Sequence, residues 1–71
     1  MTIYTDHALE RMRVRRIKKA WVEEAIKNPD SVIHARQGKK QSIKKINGAE
    51  ISVIYVEKSN HIVVITVFWG E

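Results

Sequence analysis

The chain has no cysteine, and this absence removes three kinds of chemistry at once. Disulfide bonds, thiolate nucleophiles and cysteine-ligated zinc sites are all excluded. The three histidines, His7, His34 and His61, are scattered without the close spacing that metal-binding motifs use. We therefore predict a protein that needs neither a metal ion nor another cofactor.

Long apolar segments are also missing from the sequence. No run approaches the roughly 20 residues that a membrane-spanning helix needs, and the first ten residues, MTIYTDHALE, do not resemble a signal peptide. There is no repeat, linker or low-complexity segment either. We predict a cytoplasmic protein that does not associate with membranes.

What the chain does contain is enough for one folded domain over residues 1–71. A chain of this length builds a single core and buries roughly 60% of the surface that it would expose when unfolded. Hydrophobic residues make up 44% of the sequence, and isoleucine and valine are concentrated in its second half. This composition predicts a globular domain and argues against disorder.

Positive charge is the most informative feature of the composition. The formal net charge is +5 and the isoelectric point is about 9.8. Six of the thirteen lysines and arginines lie within residues 11–19, and four more lysines lie within residues 39–45. Clustered cations attract phosphate backbones, so we expect nucleic acid or an acidic protein as the partner. The alternative is a well-solvated charged surface of the kind that heat-adapted proteins carry.

Two helices are predicted in the first half of the chain. Thr5 or Asp6 can cap a helix over residues 6–14, because their side-chain oxygens accept hydrogen bonds from the free amides of the first turn. A tight connection at residues 15–17 leads to a second helix over residues 18–27, which Asn28-Pro29 ends. The apolar residues at helical spacing are Ala8, Leu9 and Met12 in the first helix, and Trp21, Val22, Ala25 and Ile26 in the second. We expect both sets, including Trp21, to face the core.

The second half predicts an antiparallel sheet, because its apolar residues alternate with a period near two. Asn47-Gly48 is the strongest local feature, since both residues tolerate the positive φ that a two-residue hairpin turn requires. The strand over residues 41–46 is polar on both sides, which suits an exposed edge. The strands are expected at residues 31–36, 41–46, 50–57 and 61–69, the last two being central because they are apolar on both faces.

The simplest fold is therefore of the α+β class. Two N-terminal helices pack on one face of a three- to four-stranded antiparallel sheet, as the helical and alternating patterns predict. Ile3 and Tyr4 are enough for a short additional strand at the N-terminus, which we leave open.

Three segments together resemble a known family. They are T-x-H-A-x-x-R-M-x-x-x-R-I over residues 5–17, A-I-x-N-P-D over residues 25–30, and the strand segments S-V-I-Y-V and V-V-I-T-V. The set resembles a family of small prokaryotic domains of unknown function that has been grouped with the RelE/ParE-like toxins. The chain departs from the family's habit at Lys18, where a serine or threonine cap is commoner, and at Arg15, where glycine often precedes the isoleucine by two.

The resemblance implies a RelE/ParE-like toxin domain that acts on RNA and is held by a cognate antitoxin protein. ParE-like members of the wider group inhibit a topoisomerase and cut no RNA, so a shared fold leaves the reaction open.

Metal-free RNA cleavage needs a group that takes the 2′-hydroxyl proton, a group that stabilises the crowded phosphate and a group that protonates the leaving oxygen. His7 is the candidate general acid or base, because imidazole titrates near neutral pH. Arg11, one helical turn away, is the candidate phosphate clamp, and Arg16 is a second one. The alternative for His7 is a packing or capping residue whose ring bonds a backbone carbonyl.

Other polar residues are candidates for supporting roles. The predicted contacts to the nucleic-acid backbone are Arg13, Arg15, Lys18, Lys19 and Lys44. Lys44 and Lys45 point to opposite faces of their strand, so at most one of the two serves any single site. Tyr55 and Thr66, on the two central strands, are candidate accessory hydroxyls; the alternative is that both are buried and satisfied within the sheet.

We predict a toxin of a toxin–antitoxin system, an endoribonuclease acting on free or ribosome-associated RNA without a metal ion. A non-catalytic basic module that binds nucleic acid or an antitoxin through the same surface, or a ParE-like inhibitor, is the alternative. A small assembly unit is favoured if RNA does not bind even at low salt. The exposed edge strand also leaves a homodimer open.

Overall fold

Seven helices and strands follow one another along the chain in an α+β arrangement. The computed structural model describes residues 1–70. Its elements are β1 (Thr2–Tyr4), α1 (Asp6–Arg15), α2 (Lys19–Lys27), β2 (Ser31–His34), β3 (Lys39–Ile46), β4 (Ala49–Lys58) and β5 (His61–Gly70). A single 3-10 turn, Arg36–Gly38, joins β2 to β3. Both predicted helices are confirmed, and no helix within residues 1–70 is long and apolar enough to cross a bilayer.

The sheet is larger than predicted, because it contains five strands in the order β1-β5-β4-β3-β2. Four of them, β2 to β5, form the expected antiparallel meander. The N-terminal strand β1 pairs parallel with β5, so the sheet is mixed rather than antiparallel. A strand of three residues carries too little periodicity to show which strand it will pair with.

One strand assignment from the sequence is wrong. The segment 41–46 was expected at an edge, but it belongs to β3, which lies between β4 and β2. Its polar residues have partners inside the fold: Gln41 donates to the Ser52 hydroxyl, and the buried Ser42 donates to Tyr55. The edges are β1 and β2, and all four residues of β2 are exposed. Strand pairing with another chain would therefore use β1 or β2 and not β3.

The turn at Asn47-Gly48 is confirmed. Both residues have positive φ, 53° at Asn47 and 85° at Gly48. The turn joins β3 to β4 in a register that places Ile46 opposite Ala49. These angles match the two-residue hairpin turn whose twist suits the flanking strands.

The first helix is bounded by local interactions at both ends. The Thr5 hydroxyl accepts a hydrogen bond from the Ala8 amide at 3.0 Å, as predicted for a cap. Arg16 ends the helix in the left-handed conformation, with φ 57° and ψ 48°. Ala8 and Met12 are buried, but Leu9 is 41% exposed, so its assignment to the core is wrong. The helix meets the sheet along a narrow line through residues four apart, and Leu9 lies outside this line.

The core lies between the two helices and one face of the sheet. α1 packs against β5, and α2 packs against β4 and β3. Trp21 is partly buried beside the core and meets Trp69 edge to face, with 5.9 Å between the ring centroids. The buried hydrophobic residues are Ala8, Met12, Ile17, Val22, Ala25, Ile51, Val53, Tyr55, Val64 and Val67.

Candidate nucleic-acid interface

His7 and Arg11 lie one turn apart on α1. His7 is the second residue of the helix and its side chain is exposed, whereas Arg11 is half-buried. Among residues 1–70, the His7 ring makes no hydrogen bond or ion pair with another residue. The imidazole is therefore open to solvent and to a ligand on the same side of the helix as the Arg11 guanidinium.

Arg15 and Arg16, at the end of α1, have different surroundings. Arg16 is exposed, so its side chain is available to a ligand. Arg15 is tied to the sheet instead: its guanidinium donates to the Val67 carbonyl at 2.7 Å. The Arg15 carbonyl in turn accepts a hydrogen bond from the Trp69 indole at 2.7 Å. Of the predicted RNA contacts, Arg15 thus holds the end of α1 against β5.

Lys18 and Lys19 stand at the start of α2, and both are exposed. The Lys18 ammonium lies 5.2 Å from the Trp21 ring centroid, and the Lys19 ammonium lies 5.1 Å from that of Tyr4. These cation–π contacts orient the two side chains without neutralising them. Lys18 occupies the N-cap position but provides no capping hydrogen bond, and the first turn contains no acidic residue. Two cations therefore stand at the helix end that favours negative charge.

In the described part of the chain, the carboxylates that form ion pairs do so with lysines of residues 39–45 and not with the cations of residues 11–19. Among residues 1–70, the two ion pairs are Lys40–Glu57 and Lys44–Asp30, the latter at 3.6 Å, and both lysines belong to β3. The Lys45 amide donates to Asp30 at 2.9 Å; this hydrogen bond, followed by the charge of Lys44, holds the pKa of Asp30 below its usual range. Lys44, a predicted RNA contact, is thus partly neutralised. The cations of residues 11–19 have no carboxylate within 4 Å among the described residues.

The two accessory candidates lie on opposite faces of the sheet. Tyr55 is 5% exposed, and its hydroxyl accepts a hydrogen bond from Ser42 at 3.2 Å on the face that the helices cover. Thr66 stands opposite Ile54 in the register, and this position places it on the other face. The two hydroxyls cannot serve one site together.

A groove of about 490 Å³ lies between α2 and the ends of three strands, and the sequence did not indicate it. Glu23 and Glu57 give the groove acidic walls, and none of the predicted catalytic residues reaches it. Burial, together with the charge of Glu23 and a hydrogen bond to it, raises the pKa of the nearby Tyr4 to about 12. The residues lining the groove are Thr2, Glu23, Ile26, Lys27, Tyr55, Glu57 and Ile62. They come from four separate elements, so no spacing in the sequence reveals them.

The groove does not form an obvious metal site. Within residues 1–70, no three His, Asp or Glu side chains converge as the ligands of a metal ion would. On the two helices, the exposed cations and His7 are available to a ligand. Chemically, they can bind an anion and, at His7, exchange a proton with it.

Comparison with protein families found a match that covers nearly the whole chain. The model of a family described as a domain of unknown function, DUF4258, matches residues 4–69. Comparisons with curated proteins and with solved structures found no match.

Proposed function

The chain belongs to the DUF4258 family, a domain of unknown function, and from this premise we propose that it is an RNA-cleaving toxin domain of a toxin–antitoxin system. In this proposal the basic stretch over residues 11–19 holds the RNA backbone. His7 and Arg11 act at the scissile phosphate without a metal ion, and an antitoxin restrains the activity. The choice of reaction is supported by the resemblance of three segments of the chain to a family of small domains that has been grouped with the RelE/ParE-like toxins.

The observation that carries the proposal is that, within residues 1–70, the positive charges of residues 11–19 are not neutralised by nearby carboxylates. The cations of residues 11–19 have no carboxylate within 4 Å in the described part of the chain, although the chain has eight acidic residues. Like charges held close together repel each other, and the repulsion is relieved when a polyanion displaces their counterions. RNA phosphates carry the charge to do this.

The two lysines at the start of α2 also support RNA as the partner. Lys18 and Lys19 oppose the helix dipole, where a serine cap and an acidic first turn would be more stable. Such local conflicts are expected where a residue serves function rather than stability. A phosphate beside these lysines would also be favoured by the positive end of the helix.

The chemical step follows from the side chains on α1. His7 takes the proton of the 2′-hydroxyl, whose oxygen attacks the neighbouring phosphorus and expels the 5′-oxygen of the next nucleotide. Arg11 and Arg16 stabilise the negative charge that accumulates on the phosphate oxygens. The products are a 2′,3′-cyclic phosphate and a free 5′-hydroxyl, which receives the proton.

A second function is favoured by one specific observation. General acid–base catalysis works best with a ring whose orientation is fixed, and no described residue hydrogen-bonds to the His7 ring. A non-catalytic module, or a ParE-like inhibitor, would use the same basic surface only for binding.

Replacing His7 separates the two functions. His7→Ala should reduce RNA cleavage in the presence of a metal chelator by about 10²–10⁴-fold, with an unchanged circular dichroism spectrum. His61→Ala, at the start of β5, is the matched control and should cleave like the parent. If His7→Ala cleaves as well as the parent, the catalytic assignment is wrong. If the parent binds RNA and leaves it intact, the non-catalytic module is the correct function.

A further inference from the structure

The sheet has a second face that the helices do not cover. Side chains alternate along each strand, so the buried residues Ile51, Val53 and Tyr55 of β4 point towards the helices. Their neighbours Ile54 and Val56 point to the opposite side. Within residues 1–70, both helices contact the sheet through the first face, and no element lies over the second. We call this second side the open face.

The open face carries a group of apolar residues among its polar ones. Ile3 on β1 stands beside Val63 on β5, and Val63 stands opposite Val56 on β4. The apolar residues of this band are Ile3, Ile43, Ile54, Val56, Val63 and Phe68, all of them half-buried except Ile3, which is 40% exposed. Gln41, Ser52 and Thr66 lie on the same face, between members of this set. The unbroken apolar part is the row Ile3, Val63 and Val56 together with Ile54, and apolar side chains grouped in this way on an uncovered sheet face mark a surface that another molecule covers.

Lysines border the apolar band on the same face. Lys39 and Lys45 lie at the two ends of β3, and Lys58 lies at the end of β4. The carboxylate of this face belongs to Glu50, which stands opposite Lys45 in the register. The border is therefore positive, and a partner that fits it has an apolar centre and an acidic periphery.

We propose that the open face binds an acidic amphipathic helix of another protein. A helix can lay an apolar stripe along the band while its glutamates and aspartates reach Lys39, Lys45 and Lys58. About 16 residues would cross the 24 Å width of the molecule, at roughly 1.5 Å per residue. A second copy fits this face poorly, because face-to-face contact would bring the same lysines together in two chains that each have a net charge of +5.

The proposal goes beyond RNA binding and does not depend on it. The open face and the helices that carry residues 11–19 lie on opposite sides of the sheet. Both surfaces can therefore be occupied at once. Under the toxin assignment the acidic helix belongs to the antitoxin.

The test uses a synthetic helical peptide of 18 residues, with leucines along one side and glutamates elsewhere. Two control peptides have the same leucines spread around the helix, or lysines in place of the glutamates. The full chain should bind the first peptide at least about tenfold more tightly than either control. Titration calorimetry at moderate salt measures the three affinities.

Two pairs of substitutions locate the site. Ile54→Thr with Phe68→Thr should weaken binding of the acidic peptide at least about tenfold, and Lys39→Gln with Lys45→Gln should weaken it by several-fold. Leu9→Thr, which changes an exposed apolar residue of α1, is the matched control and should bind like the parent. The lysine pair keeps the test decisive if the threonine pair fails to fold.

Three results would overturn the proposal. They are equal binding of the acidic and control peptides, equal binding by the lysine pair and the parent, and a homodimer in sedimentation that the threonine pair dissociates. RNA affinity of the lysine pair is measured in parallel and should equal that of the parent. A failure of the RNA proposal therefore leaves the peptide result unaffected, and the reverse is also true.

Discussion

Arg16 combines a backbone conformation that suits glycine with a side chain to which we assign a role in phosphate binding. It ends α1 with φ 57° and ψ 48°, a conformation that costs an ordinary residue roughly 1–2 kcal/mol and costs glycine almost nothing. Glycine would therefore suit the backbone better, but glycine carries no charge. The arginine is consistent with the proposed role of its side chain as a phosphate clamp.

Replacing Arg16 by glycine should raise stability and weaken RNA binding together. The free energy of unfolding should increase by about 0.5–1 kcal/mol, because the left-handed conformation no longer strains a β-carbon. Arg13→Gly, inside the last turn of α1, is the control and should lower it by roughly the same amount. Urea unfolding of both variants measures the effect. Two changes of the same sign would contradict this explanation of Arg16.

Tyr4 gives the protein a pH dependence in the alkaline range. Burial is the main cause that raises its pKa to about 12, and the charge of Glu23 adds to it. Because the folded state favours the protonated phenol, the contribution to stability is complete below the unfolded pKa near 10. It is lost as the pH rises from 10 towards 12.

Alkaline titration of the phenolate absorbance tests the assignment. The parent should show a tyrosine transition near pH 12, and Tyr4→Phe should remove that transition. The variant should also lose less stability than the parent between pH 10 and 12, because it has no phenol to deprotonate. If the transition that Tyr4→Phe removes lies near 10, burial does not affect this side chain as the structure indicates.

At the scale of elements, one arginine connects the end of α1 to β5. The Arg15 guanidinium and the Val67 carbonyl are 2.7 Å apart, and the contact is partly buried. A hydrogen bond from a charged donor contributes more to stability than a neutral one. Arg15 is therefore structurally engaged, although its charge remains part of the basic stretch.

Arg15→Met should lower the free energy of unfolding by about 1.5–3 kcal/mol, because the Val67 carbonyl loses a charged donor while the apolar stem is retained. Arg13→Met, on the exposed side of the same turn, is the matched control and should change stability by less than about 0.5 kcal/mol. Thermal unfolding of the two variants gives the comparison. Equal losses would show that the Arg15 contact is not stabilising.

β3 shows why an edge strand is difficult to identify from sequence. Polar residues on both sides of a strand are usual at an edge. In β3, however, Gln41 and Ser42 have hydrogen-bond partners on β4, and Lys44 forms an ion pair with Asp30. β2, which forms the edge, contains the exposed apolar residues Val32 and Ile33. The polarity of residues 41–46 therefore predicted an edge position that β2 occupies instead.

At the scale of the whole molecule, the two groups of cations differ in how far carboxylates neutralise them. Lys40 and Lys44 of β3 form ion pairs with carboxylates. Within residues 1–70, the cations of residues 11–19 have no carboxylate within 4 Å. Net charge governs association at long range, but unpaired clusters decide where a polyanion binds. The helical side should therefore dominate RNA binding.

Salt dependence measures how many of these cations contact phosphate. For single-stranded RNA, Lys19→Gln and Arg13→Gln should each reduce the slope of log K against log salt by roughly 0.7, since each removes one phosphate contact. Lys58→Gln, at the end of β4, should leave the slope unchanged. An unchanged slope for Lys19→Gln and Arg13→Gln would place the RNA elsewhere on the molecule.

The candidate site was predictable in part. The clustering of cations and the one-turn spacing of His7 and Arg11 follow from neighbouring positions in the chain, and the structure places both residues on α1 as expected. The engagement of Arg15 was not predictable, because its partner Val67 is 52 positions away. Neither was the separation of Tyr55 from Thr66, which follows from the bulge at Ile54/Tyr55 and the pairing of β4 with β5.

Local sequence was sufficient for the start of α1 at Thr5 and for the hairpin turn at Asn47-Gly48. It was also sufficient for the two helices and the basic stretch. These features depend on interactions between residues a few positions apart. Tertiary contacts alone decided the parallel pairing of β1 with β5, the interior position of β3, the acidic groove and the apolar open face. Each of these requires distant segments to meet, and the periodicity of one segment contains no information about which other segment will cover it.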